Sequence, residues 1–298
     1  MRPSPSLALC TALAGTMLLA GCGQERGVGS GAPSGSGSPT CTATLPATGP
    51  DGGTWENVTL ISRGCGASPA PATEFEVTNT GKEPLTFTIT FDRMNEAGEV
   101  MDNTSTTVAS VRPGRTVRRT LDTGDTLSTA PASRVRVSKV RAVAADEAPA
   151  TTGACPPSGV QVTADRGDAA MGLRVVGLHL VNCGSTAYRV NGYPGLQLLA
   201  RDREPVTGVR ILHGTDAIST GIGGDATSRP VTLKPGESAY ANLAWRNTTG
   251  AGEAVNAPYV RVTPKPGAAA VTVTPELDLG TTGKLGVGPW TKDETAAR

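Results

Sequence analysis

Residues 85–91 read Leu-Thr-Phe-Thr-Ile-Thr-Phe, with an apolar side chain at every odd position and a threonine at every even one. A period of two is that of a strand with one buried face. The same period recurs at Phe75 and Val77, at Val108 to Val111, at Val117 to Leu121, and at Arg134-Val135-Arg136-Val137. Asn79-Thr80-Gly81 stands between the first two of these strands and predicts a hairpin or near-hairpin there. Pro113-Gly114 marks another turn. Strands at roughly ten-residue spacing with turn signals between them predict a β-sandwich. Only ten aromatic residues are present (3 Phe, 4 Tyr, 3 Trp) beside 38 Gly and 23 Pro. That mixture favours short strands and turns over helices.

The second half repeats the plan. Val160 and Val162 alternate, and Val176, Leu178 and Leu180 share a face. Asn182-Cys183-Gly184 then stands where Asn79-Thr80-Gly81 stood. Lys234-Pro235-Gly236 echoes Arg112-Pro113-Gly114, and the strand after it puts Ala241, Leu243 and Trp245 on one face against Tyr240, Asn242 and Arg246 on the other. Val260/Val262 and Val271/Val273 supply later strands. The expected fold class is all-β, with two β-sandwich domains at 41–147 and 154–298 that resemble immunoglobulin-like modules in layout. A Pro/Thr/Ala hinge, Glu147 to Gly153, joins them.

The N-terminus carries an address. Leu7 to Ala20 is apolar but too short to span a bilayer permanently, and it closes on Leu19-Ala20-Gly21-Cys22. That ending resembles the lipobox of bacterial lipoprotein precursors. The resemblance implies cleavage before Cys22, a signal peptide at 1–21, and a diacylglyceryl anchor on the Cys22 thiol. Gly23 to Thr40 is a Gly/Ser/Pro tract with almost nothing to bury. Residues 22–40 are therefore expected to form a disordered tether, with a coil reach of about 23 Å. Two acyl chains satisfy the requirement for stable anchoring. The expected localisation is the extracytoplasmic face of the cell membrane.

Once Cys10 leaves with the signal and Cys22 takes lipid, Cys41, Cys65, Cys155 and Cys183 remain. An even number in an exported chain reads as two disulfides, with three pairings open. Cys41 with Cys65 and Cys155 with Cys183 keep each bridge inside one expected module and close loops of about 25 residues. Zinc is disfavoured, because no C-x-x-C spacing occurs and the chain has only two histidines. The sequence holds 27 basic and 26 acidic residues. Removal of the signal takes away only Arg2, leaving a neutral chain that lacks the charge of a general nucleic-acid binder.

Several stretches of the second half carry a family resemblance. They are Val181-Asn182-Cys183-Gly184, Asn191-Gly192-Tyr193-Pro194-Gly195, Leu233 to Glu237, Ala244-Trp245-Arg246-Asn247-Thr248 and Asp278 to Val287. In that order, across Cys155 to Trp290, they resemble the actinobacterial domain of unknown function 4232, found in secreted proteins and lipoproteins of high-GC Gram-positive bacteria. The resemblance implies an exported actinobacterial origin and no established activity.

Ile211-Leu212-His213-Gly214-Thr215 is similar to the His-Gly-Thr element of L,D-transpeptidases, but no cysteine follows Cys183 to act as nucleophile. His213 is accordingly expected in a loop and His179 on a sheet face. Gly280-Thr281-Thr282-Gly283-Lys284 lacks the spacer and hydroxyl of a P-loop. No metal-site or cofactor motif stands out, so neither is expected.

One charge asymmetry remains. Residues 51–102 hold nine acidic and three basic side chains, whereas 112–141 hold eight basic and two acidic. Arg112, Arg115, Arg118, Arg134 and Arg136 form a candidate anion-binding face. If Glu74, Glu76 and Asp92 occupy neighbouring strands, the charges pair locally instead. The expected function is a non-catalytic, lipid-anchored binding or scaffold protein of the bacterial cell envelope. Its partners would be the membrane and an anionic wall polymer or another envelope protein, with no nucleic acid. The alternative is a wall-remodelling envelope enzyme without a recognisable motif.

Overall fold

The strand expected at 85–91 is one of 21 among the described residues, and no helix accompanies them. The computed structural model describes residues 42–63, 72–121, 134–150, 153–224 and 227–294. The expected signal peptide, the tether, Cys22, Cys41 and Cys65 lie outside the described residues.

The first half contains β1 (Thr42–Thr48), β2 (Thr54–Arg63), β3 (Ala72–Thr78), β4 (Leu85–Met94), β5 (Val100–Val111), β6 (Thr116–Thr120) and β7 (Arg134–Ala144). They form two antiparallel sheets, ordered β1-β2-β3-β6 and β5-β4-β7. Alternation decides what lies between the sheets. Phe75 and Val77 of one and Phe87, Ile89 and Phe91 of the other meet in a single buried cluster with Val58, Leu60 and Val137. The Phe75 and Phe91 ring centroids are 5.0 Å apart. Trp55 Nε1 reaches across to the Val137 carbonyl at 3.1 Å, so its polar edge is satisfied inside that packing. Thr88 and Thr90 of β4 face outward and pair across strands, Thr90 with Ser105 at 2.9 Å and Thr88 with Thr107 at 3.4 Å.

The hairpin expected at Asn79-Thr80-Gly81 is a crossing instead, because β3 and β4 belong to different sheets. The cause is the Asn79 side chain. It is fully buried, its Nδ2 donates to the carbonyls of Glu83 and Val111 at 2.7 Å each, and its Oδ1 accepts from Gly81 N at 2.8 Å. An asparagine used in this way pins the end of one sheet to the start of the other. In the second half, Asn182 Nδ2 donates to Thr186 O and Leu233 O at 2.9 Å each, and Oδ1 accepts from Gly184 N at 3.1 Å. The backbone matches as well. Gly114 N donates to Asn79 O and Asn79 N to Arg115 O, as Gly236 N does to Asn182 O and Asn182 N to Glu237 O.

The second half runs through β8 (Val160–Ala164), β9 (Asp168–Ala170), β10 (Leu173–Asn182), β11 (Tyr188–Val190), β12 (Gly195–Leu199), β13 (Arg210–His213) and β14 (Val231–Leu233). It continues with β15 (Ser238–Arg246), β16 (Val255–Ala257), β17 (Tyr259–Thr263), β18 (Val271–Val273), β19 (Leu277–Gly280), β20 (Lys284–Val287) and β21 (Thr291–Lys292). The largest sheet is ordered β13-β20-β15-β10-β8, with β9 on β10 and β21 on β15; β13 and β20 run parallel. A smaller sheet, β12-β17-β18, supplies Leu198, Val260, Val262 and Val273 to the cluster that Leu178, Leu180, Leu243 and Trp245 enter from the large sheet. Trp290 closes one end of that cluster, its Nε1 donating to Pro264 O at 2.9 Å. Cys155 and Cys183 are bonded, with Cα atoms 5.6 Å apart.

Thr40–Arg298 is one compact unit. Val143, Leu199 and Tyr259 form a small buried cluster linking the two halves, and Tyr259 Oη accepts from Ala142 N at 3.2 Å. Glu147, at the start of the expected hinge, is held fast. Arg261 donates to it at 2.5–2.9 Å and Thr272 Oγ1 at 2.9 Å, while its own carbonyl accepts from Thr272 N at 2.7 Å. Partial burial alone would raise the Glu147 carboxyl; the hydrogen bonds from Arg261 and Thr272, with the Arg261 charge, outweigh it and hold the carboxyl below its ordinary value.

Candidate binding cleft

The five arginines of the first half do not converge. Arg134 and Arg136 lie on β7, Arg118 on β6 of the opposite sheet, and Arg112 and Arg115 at the turn between β5 and β6. Arg136 is paired with Asp92 at 2.6 Å and Arg118 with Glu74 at 2.8 Å, the local pairing that the register of β7 on β4 and β6 on β3 imposes. Arg134 donates to the Glu96 carbonyl at 3.2 Å. Arg112 and Arg115 are exposed and have no acidic partner among the described residues.

The two histidines have structural neighbours. His213 ends β13 rather than sitting in a loop, because the segment pairs in parallel with β20; its ring stacks on Tyr193 at 4.2 Å. His179 faces outward from β10, with Nε2 3.2 Å from Asp165 Oδ2. No group of three metal-ligating side chains occurs among the described residues.

Arginines do gather elsewhere, where β7 of the first half meets the second. There a cleft of about 620 Å³ is lined by Arg141, Arg166, Arg174 and Arg201, by Asp168, Glu276 and Asp278, and by apolar surface that includes Trp245, Pro258 and Pro275. Arg141 is nearly buried, and its Nε and Nη2 each reach a Glu276 oxygen at 2.5 Å. Lys139 adds a second cation 3.6 Å from Glu276. Glu276 holds a left-handed backbone, φ 58°, which disfavours any residue with a Cβ. Arg203, φ 70°, is another such residue, and it too crosses between the halves, to Glu83 at 2.6 Å.

Asp278 organises the other wall. Its Oδ1 accepts from Trp245 Nε1 and its Oδ2 from Asn247 Nδ2, both at 2.9 Å, and Arg174 Nε stands 3.6 Å away. The Trp-Arg-Asn-Thr and Asp-Leu-Gly-Thr-Thr-Gly stretches are therefore two halves of one hydrogen-bonded corner. Gly280 lies where they touch. At φ 54°, a Cβ there would collide with the Thr248 carbonyl oxygen.

Arg166 and Arg201 differ from the other two arginines. Both are exposed, and neither has a carboxylate partner among the described residues. Each rides on a pinned turn. Asp165 Oδ1 accepts from Gly167 N at 2.8 Å and Gly177 N at 2.9 Å around Arg166. Ala200 N to Glu204 O at 2.8 Å, Arg203 N to Ala200 O at 2.9 Å and Glu204 N to Asp202 Oδ1 at 3.1 Å close the turn carrying Arg201. Arg141, Arg166 and Arg201 escape sequence reasoning because they come from segments 25 or more residues apart that only the packing of the halves unites. No local signal marked Arg166, since Asp165 and Asp168 flank it and balance Arg166 and Arg174 in the sequence.

Residues 155–291 match the family described as Domain of unknown function (DUF4232), in the segment where the motifs led us to expect it. No curated protein and no solved structure matches the chain.

Proposed function

We propose that this chain is a non-catalytic, lipid-anchored binding or scaffold protein on the outer face of an actinobacterial cell membrane, built from two immunoglobulin-like sandwiches. The observation that carries the extracytoplasmic reading is the Cys155–Cys183 bridge, since disulfides persist in oxidising compartments. The lipobox at Leu19 to Cys22 supports the anchor. Two buried clusters, each fed by facing sheets, and the repeated asparagine crossing support the paired modules. Binding rather than catalysis is favoured by the cleft, where Glu276 and Asp278 are tied up in fixed pairs with Arg141, Trp245 and Asn247.

Fractionation tests the reading. The chain should sediment with membranes, and Cys22→Ala should release it or stall it as precursor. A processed Cys22→Ala protein that still sediments fully overturns the anchoring. For binding, the chain should co-sediment with isolated cell walls at low ionic strength; a chain left wholly in the supernatant overturns that part.

A further inference from the structure

We infer that the cleft between the two halves is a phosphate-binding site, with Arg166 and Arg201 as its primary ligands. The inference rests on the binding reading above and gives it a chemistry. A carboxylate has two oxygens, and one guanidinium fork already occupies both, as Arg141 does with Glu276. Two unpaired forks presented by separate turns call for an acceptor with more oxygens, and a phosphate provides them. The turns are rigid before any ligand arrives. Asp165 fixes one through two backbone amides, and three hydrogen bonds close the other, so little ordering is lost on binding.

Charge and volume agree. Four arginines face three carboxylates around the cleft, and Glu276 and Asp278 already have cationic neighbours at 2.5 Å and 3.6 Å. Asp168 is the remaining acid on the wall, and it opposes a bound anion. At about 620 Å³ the cleft falls within the range of small-molecule sites and exceeds the needs of a bare phosphate. Pro275, half-buried, with the buried Trp245 and Pro258 behind it, gives the cleft an apolar side against which a carbon skeleton attached to the phosphate could lie.

The full chain, in detergent and at low ionic strength, is titrated calorimetrically with inorganic phosphate, with glycerol phosphate and with mixed micelles of the same detergent carrying phosphatidylglycerol or phosphatidylcholine. Saturable, salt-sensitive binding is expected, weakened at least tenfold in Arg166→Ser/Arg201→Ser, tightened severalfold in Asp168→Asn, and unchanged in Arg112→Ser/Arg115→Ser. Glycerol phosphate binding more tightly than phosphate assigns a polymer or metabolite carrier; binding confined to phosphatidylglycerol micelles assigns a lipid headgroup. Both keep the phosphate chemistry. Absence of binding to every probe, or binding that the Arg166/Arg201 variant leaves intact, overturns the inference. Cell-wall binding that survives in that variant refutes the cleft while leaving the envelope reading in place.

Discussion

Asn79 and Asn182 make the same set of hydrogen bonds at equivalent points in the two halves of the chain. Each spans a sheet-to-sheet crossing, donates twice to buried or half-buried carbonyls and accepts from the glycine two residues on. Each is also closed from outside by the glycine of a basic-Pro-Gly turn. Replacement of either by alanine strands one buried carbonyl oxygen, that of Val111 or Leu233, and one half-buried one. Asn79→Ala and Asn182→Ala should each lower unfolding free energy by about 1–3 kcal/mol, measured by urea denaturation. An effect under about 0.5 kcal/mol at both positions would mean that the crossings do not depend on the amide.

Arg141 and Glu276 join the two halves at a point where the arginine side chain is only 9% exposed. Glu276→Ala removes its main acceptor and leaves a desolvated cation. A loss of about 1–3 kcal/mol is expected, between the limits for exposed and buried pairs. Changing both residues to leucine should cost less than Glu276→Ala alone. A double variant that is additive or worse would show that the pair is not coupled.

Glu147 makes the same junction sensitive to acid. Its carboxyl is held below the ordinary value of 4.5, so the ionised form is favoured by folding. The stabilisation is complete above the unfolded-state value and is lost as pH falls through the lower folded value. The thermal stability of the chain should therefore fall progressively below about pH 4.5, and Glu147→Gln should flatten that part of the profile while lowering stability near neutrality. A variant with the unaltered acid slope would contradict the assignment.

The Cys155–Cys183 bridge closes a loop with a separation of 28 residues. In the chain-entropy description its removal costs about 3–4 kcal/mol. Cys155→Ser/Cys183→Ser, followed by denaturant titration, should show a loss of that order. Non-reducing peptide mapping should recover the two cysteines in one linked fragment. Cys155 linked to Cys41 instead would contradict the bridge.

What could be read from the sequence was whatever depends on neighbours along the chain. The Leu85 to Phe91 alternation became β4 because side-chain direction follows from backbone geometry alone, and β15 and β17 follow in the same way. The pairing of Cys155 with Cys183 was among the alternatives left open. The Asn79 crossing was misread as a hairpin, since Asn-x-Gly is a turn signal in both settings and only the burial of the amide separates them. The cleft was invisible for a different reason. Arg141 reads as the end of an alternating basic strand, and nothing near it in sequence names Glu276 as its partner 135 residues away.

The bridge between Cys155 and Cys183 encloses the whole of β9 and the turn after it, where Met171 stands almost fully exposed. Exposed tips of this kind are where proteases cut first. A single nick at Met171 would fall inside the covalent ring, so the severed ends could separate without either piece being shed. The chain would keep its apparent mass until a reductant was added, and Arg166 and Arg174, on opposite sides of the cut, would remain tethered to the same molecule.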